Sequence, residues 1–154
     1  MARIDARLEE LGIRLPSPPA PVASYVPYVR SGGLLFVSGQ VTLTADGLKY
    51  VGAVGKELSL EEGKAAARLC AINTIAQLKA ACSGDLDRVK RVVKVTVFVN
   101  AAGGFAQHPE VANGASDLFV EVFGESGKHA RSAVGAGSLP RNVATEVEAI
   151  VEIA

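Results

Sequence analysis

Residues 91–100 read RVVKVTVFVN, and the fold turns on how this run is placed. Five valines, a threonine and a phenylalanine in ten residues are β-branched or aromatic types that suit a pleated strand. Alternation puts Val93, Val95, Val97 and Val99 on one face, and Val92, Lys94, Thr96 and Phe98 on the other. Both faces are too apolar to be left in water. A central strand is expected, with helices over one face and further copies of the chain over the other.

Toward the C-terminus, Gly103-Gly104 ends the strand and His108-Pro109-Glu110 opens a helix, with the proline in the first turn. That helix carries Val111, Ala115, Leu118, Phe119 and Val122 as far as Gly124. Two strands follow at 131–135 and 145–153, separated by LPRN at 139–142. Toward the N-terminus, SLEE at 59–62 is a capping box that starts a helix running to about residue 81. Its apolar stripe is read as Ala65, Leu69, Ile72 and Ala76, widened by Ile75 and Leu78. Strands at 24–30 and 34–42 flank the turn Ser31-Gly32-Gly33, and an extended piece around 48–54 adds to the sheet.

Residues 3–12 form a short helix with Ile4, Leu8 and Leu11 at helical spacing. The run PSPPAP at 16–21 has four prolines in six residues and reads as an extended connector. The chain thus divides into an N-terminal extension at 1–21 and a core domain at 22–154. Residues 2–15 are expected to be removable without loss of the core fold. The order β-β-α-β-α-β-β makes the core an α+β sandwich, a mixed sheet with two helices on one face.

Composition narrows the function. Apolar residues are 49% of the 154 and charged residues 21%, a globular balance. The formal net charge is zero and only 5% of residues are aromatic, which argues against tight nucleic-acid binding. No run reaches the roughly 18 apolar residues of a membrane span. Cys70 and Cys82 lie in no metal-ligand pattern and read as small apolar helix residues. A cytoplasmic chain with reduced thiols, no metal and no cofactor is expected.

Three positions are candidates for chemistry. Arg131 opens an apolar strand among small residues, where its planar fork suits a carboxylate; the same arginine equally suits a structural ion pair. Glu146, Glu148 and Glu152 share one face of the last strand, as a solvated face or as holders of a catalytic water at a subunit seam. His129 precedes Arg131 by two and points to the same strand face, while His108 reads as a polar helix-start residue.

Several segments together resemble the reactive-intermediate deaminases, the YjgF/RidA-like proteins. They are Ser38-Gly39-Gln40 after a strand, VKVTVFV at 93–99, RSAV at 131–134, Leu139-Pro140 and EVEAI at 146–150. The match runs in order from about Tyr25 to the end of the chain. The resemblance implies a chorismate-mutase-like fold and a homotrimer with three clefts between subunits. It implies that Arg131 binds a substrate carboxylate and Glu146 positions the attacking water. Tyr25, Ser38, Gly39 and Asn113 would line the cleft. The implied reaction is cofactor-free hydrolysis of a 2-imino acid to a 2-oxo acid and ammonia. A non-catalytic small-carboxylate binder and an endoribonuclease are the alternatives. The chain departs from the family pattern at His129 (usually proline), Ala133 (often cysteine) and Gly135 (usually glutamate). With the extra N-terminal helix and a longer segment between Phe105 and Arg131, these departures place it in a longer, divergent subgroup.

Overall fold

A computed structural model describes residues 2–18 and 23–154. Helix α1 (Arg3–Glu10) leads into strands β1 (Tyr28–Ser31) and β2 (Leu34–Gln40) and a small hairpin of β3 (Leu43–Thr44) and β4 (Gly47–Leu48). Helix α2 (Leu60–Ala81), strand β5 (Val89–Asn100), helix α3 (His108–Phe123) and strands β6 (Ala130–Ala136) and β7 (Thr145–Ile153) complete it. The five-stranded sheet has the order β1-β2-β7-β5-β6. β5 and β6 run parallel because α3 crosses between them; the other neighbours are antiparallel. This is the α+β sandwich expected.

The central strand departs from strict alternation. Its pairing with β7 slips between Val92 and Lys94, so a bulge sits at Val93. Val92, Val95, Val97 and Val99 are the buried residues under the helices, and Val93 is only half-buried. Val95, Val97 and Val99 share the face expected of them, and only before the bulge does Val92 take the place given to Val93.

Helix α2 starts where expected. The Ser59 side chain accepts from the Glu62 amide, and the Glu62 carboxylate accepts from the Ser59 amide at 3.0 Å. Ile75, Ala76 and Leu78 are buried as expected, but the rest of the buried side is Gly63, Ala66, Ala67, Cys70, Ala71, Asn73, Thr74 and Gln77, while Ala65, Leu69 and Ile72 are half-buried. Small residues line the contact because α2 lies close to both α3 and the sheet. Both cysteines belong to this interior; burial pushes the Cys70 thiol up to about 12, too high for a reactive thiolate.

Two strand expectations need correction. The first strand begins at Tyr28, not at 24, since Pro27 has no N–H for a ladder. Residues 48–54 do not add a sheet strand; Val51 and Val54 make only isolated bridges. Left-handed backbone at Tyr50 (φ 52°) and Gly52 (φ 132°) breaks the extended run.

Pro19 to Val22, and with them the boundary at 21/22 and the end of the connector, lie outside the described residues. Helix α1 is docked on the core. Ile4 and Leu8 are buried, and Lys79 pairs with Asp5 at 3.0 Å. α1 has no side-chain cap of its own. The Asp87 carboxylate accepts from the Arg3 and Ile4 amides at 2.9 and 2.8 Å, which holds its carboxyl below the usual range. Ile4→Ala and Leu8→Ala are each expected to destabilise by about 2 kcal/mol or more, because each leaves a cavity under the helix. Chemical denaturation checks this, and midpoints unchanged in both variants would show that α1 contributes nothing to the core.

Candidate functional site

The sheet has one covered and one open face. On the open face stand Val29, Leu34, Phe36, Phe98, Val134 and Ile150, interrupted by Lys94, Glu146, Glu148 and Glu152. Among the described residues no helix lies over it. The candidate residues divide between the two faces.

Arg131 belongs to the covered side. Its backbone is level with Val95, so its side chain leaves the sheet toward α3. Its Nη1 donates to Asn113 Oδ1 at 2.8 Å and to Ser116 Oγ at 3.2 Å. Asn113 and Ser116 are three apart, adjacent on one face of α3. No ion pair to Arg131 forms among the described residues. The structural ion pair weighed from the sequence is therefore not what holds this arginine. Neutral acceptors occupy Nη1, and the Nε and Nη2 edge, two parallel N–H groups, has no protein partner among the described residues.

His129 extends this network. Its Nδ1 lies 2.6 Å from Gly127 O and its Nε2 lies 2.9 Å from Ser116 Oγ. A carbonyl only accepts, so Nδ1 carries the hydrogen and Nε2 accepts from the Ser116 hydroxyl. The imidazole also packs edge-on to Phe119 at 5.8 Å. Burial, then the nearby Arg131 charge, holds His129 below the ordinary histidine range.

Glu146 belongs to the open face, beside Phe98 on β5 and between buried Thr145 and Val147 on its own strand. Gly39 lies against its carboxylate: a Cβ there would be 2.7 Å from Oε1. A side chain at Gly39 would therefore push the Glu146 carboxylate out of its present position. The chain enters this corner through a slip in register between Val37 and Gln40. Ser38 donates from Oγ to Val26 O at 2.8 Å and from its amide to Pro27 O at 2.9 Å, which fixes the segment bearing Tyr25. Tyr25 itself is 64% exposed.

Burial, reinforced by Glu148, holds the Glu146 carboxyl above the usual glutamate range. A raised carboxyl means the folded chain keeps this proton more tightly than the unfolded chain does. That contribution to stability is present below the unfolded value and is lost as pH rises through the folded one. Glu146→Gln is therefore expected to raise the melting temperature slightly at neutral pH and to leave it nearly unchanged at about pH 4. The gain is a few tenths of a kcal/mol, since solvent screens a half-exposed group. Thermal melts at both values test this, and an equal change at both would contradict it.

Arg131 with Asn113, and Glu146 with Gly39, Ser38 and Tyr25, are two half-sites. Arg131 is level with Val95 and Ala149, three residues along from Glu146, and the two side chains leave opposite faces. One chain alone does not bring them together.

Sequence reading missed Ser116. Its only signal is its spacing from Asn113 on one helix face. The departure at Gly135 also has a physical counterpart: a Cβ there would meet His108 Nε2 at 2.8 Å, so the His108 ring fills the space. Among the described residues, no group of three or more His, Cys, Asp or Glu is placed to hold a metal. No helix of the described chain is long and apolar enough to cross a membrane.

Residues 5–153 match the family described as "YjgF/chorismate mutase-like, putative endoribonuclease". Protein TCP17 of Trypanosoma cruzi is 52% identical over 152 residues, 98% of this chain and 94% of that one. The crystal structure of the protein Atu1372 with unknown function, from Agrobacterium tumefaciens, superposes with a TM-score of 0.90 at 45% identity. It covers 97% of this chain and 91% of its own. A 2-iminobutanoate/2-iminopropanoate deaminase of Dermatophagoides farinae is 28% identical over 142 residues, 92% of this chain and 94% of the other.

Proposed function

Because the chain belongs to the YjgF/chorismate mutase-like family, we propose that it hydrolyses small 2-imino or enamine acids to 2-oxo acids and ammonia, at clefts formed between copies of the chain. Membership itself carries a reactive-intermediate deaminase-like or endoribonuclease L-PSP-like role; the reaction, the homotrimer and a cytoplasmic location are the proposal. The observation that carries it is the state of Arg131. Its cation is held by two neutral acceptors and meets no carboxylate among the described residues, so a bidentate edge is left for an anion.

The chemistry follows from the two half-sites. A substrate carboxylate on the Arg131 edge fixes the imine carbon. Glu146 of a neighbouring copy, its carboxyl raised toward working pH, takes a proton from water as the oxygen adds to that carbon. The protonated Glu146 returns that proton to the nitrogen, and collapse of the carbinolamine, with its hydroxyl proton passing to nitrogen, expels ammonia and leaves the 2-oxo acid. Apposing the open faces of three copies also covers Val29, Leu34 and Phe36. The net charge of zero offers no support for an RNA substrate.

The test is ammonia release from imines generated in situ from several amino acids. Light scattering on the same sample is expected to give about 48 kDa, three chains of 15.9 kDa. Turnover above the spontaneous rate, in a trimer, supports the reading. Binding of 2-oxo acids without turnover would replace it by a carboxylate-binding protein, and a monomer would remove the shared cleft.

A further inference from the structure

We propose that Ser116 and His129 form a proton-coupled support for Arg131, in which His129 takes up a proton when a small carboxylate occupies the free guanidinium edge. The inference rests on the carboxylate-clamp reading of Arg131 and adds two residues and a linkage to it. Three bonds in series carry it: Arg131 Nη1 to Ser116 Oγ, Ser116 Oγ to His129 Nε2, and His129 Nδ1 to Gly127 O. The last fixes the tautomer, so the only site for an incoming proton is Nε2, which faces Ser116 and beyond it Arg131.

Without a ligand the chain of bonds runs one way. Arg131 donates to Ser116, and Ser116 donates to His129. A proton on Nε2 would reverse the second bond, so that Ser116 Oγ accepts from two cations and releases its own hydrogen to another acceptor. Burial first, and the like charge of Arg131 two hydrogen bonds away after it, oppose that state. A carboxylate on the Nε and Nη2 edge cancels the Arg131 charge and removes this opposition. The proton comes from solvent, and Arg131, protonated His129 and the carboxylate then together carry the same single positive charge that Arg131 carried alone before binding.

The surroundings leave Arg131 as the main charge that His129 feels. On its own segment Lys128 is paired with Glu125 at 2.9 Å. From β5, Arg91 lines with Val93, Lys128, His129 and Ala130 a cavity of about 310 Å³. From α3 come Ser116 and the neutral Phe119 ring, and Asp117 beside Ser116 is exposed. No acidic group lines that cavity, so proton uptake at His129 has no local carboxylate to drive it.

By linkage, a ligand that raises the proton affinity of His129 must itself bind more tightly as pH falls through the His129 range. A neutralised neighbouring charge is worth on the order of one pH unit, hence about tenfold in affinity. The experiment is a proton NMR titration of the imidazole signals. The chain has only His108 and His129, and His108→Gln assigns them. It is run on the protein alone, with saturating pyruvate, and on Arg131→Gln. The expected result is that His129 titrates higher with pyruvate than without it, and also higher in Arg131→Gln. His129→Gln, which keeps a polar group but cannot take the proton, should lose the gain in pyruvate affinity on acidification. Pyruvate binding with an unmoved His129 titration would overturn the coupling and leave the clamp standing. No pyruvate binding at any pH would overturn both.

Discussion

Gly114→Ala is expected to lower stability by about 3 kcal/mol or more, a fall of about 10 °C in melting temperature. Gly114 sits where α3 crosses α2 backbone to backbone. A Cβ at this position would lie 2.0 Å from the Lys64 carbonyl oxygen and 2.8 Å from its carbon. Those are main-chain atoms in the second turn of a capped helix, and no side chain can swing aside to make room. The two helices must separate, and the small-residue stripe of α2 then loses contact along its length. Asn113 and Ser116 flank Gly114 on α3, so any surviving fold should also release Arg131. Gly137→Ala is the matched control: it would meet nothing within 4 Å and should change little. Equal melting temperatures for the two variants would contradict the close crossing.

The second large effect falls on chemistry and separates the two half-sites. Arg131→Lys replaces a two-point fork by a single ammonium, and a charged hydrogen bond contributes roughly 1.5–3 kcal/mol. Pyruvate or 2-oxobutyrate should bind about tenfold to hundredfold more weakly. Glu146→Gln should leave 2-oxo acid binding nearly intact and reduce imine hydrolysis about a hundredfold or more, since it removes the group that accepts the proton of the attacking water. Isothermal titration and single-turnover ammonia release read the two effects separately. Weak binding in both variants, with turnover falling in proportion, would mean that Glu146 only holds the ligand.

What could be read from the sequence follows from how local each signal is. β7 was legible to the residue because its alternation is unbroken from Thr145 to Ile153. The start of α2 was legible because a capping box is a four-residue device. Arg131 stood out because a charged residue opens a strand of small ones. The bulge at Val93 was hidden, since a run of valines looks the same on either face. The buried side of α2 was legible at Ile75, Ala76 and Leu78 but hidden before them: Gly63, Ala66, Ala67 and Thr74 give a hydropathy count little to weigh. Ser116 and Asn113 meet Arg131 only because α3 crosses between parallel β5 and β6, a contact spanning 15 and 18 residues of chain. The placement of Arg131 and Glu146 on opposite faces depends on the register of three strands, which no single motif encodes.

The central claim is that one working cleft takes Arg131 from one copy of the chain and Glu146 from another. Co-expression of Arg131→Lys and Glu146→Gln chains at equal levels tests it most directly. Either variant alone spoils every cleft. In randomly mixed trimers about one cleft in four pairs an intact Arg131 with an intact Glu146. Imine hydrolysis should therefore recover to about a quarter of the wild-type rate, well above either variant alone. Activity no greater than the average of the two separate variants, in trimers shown to be mixed, would mean that the site is not shared and would contradict the account.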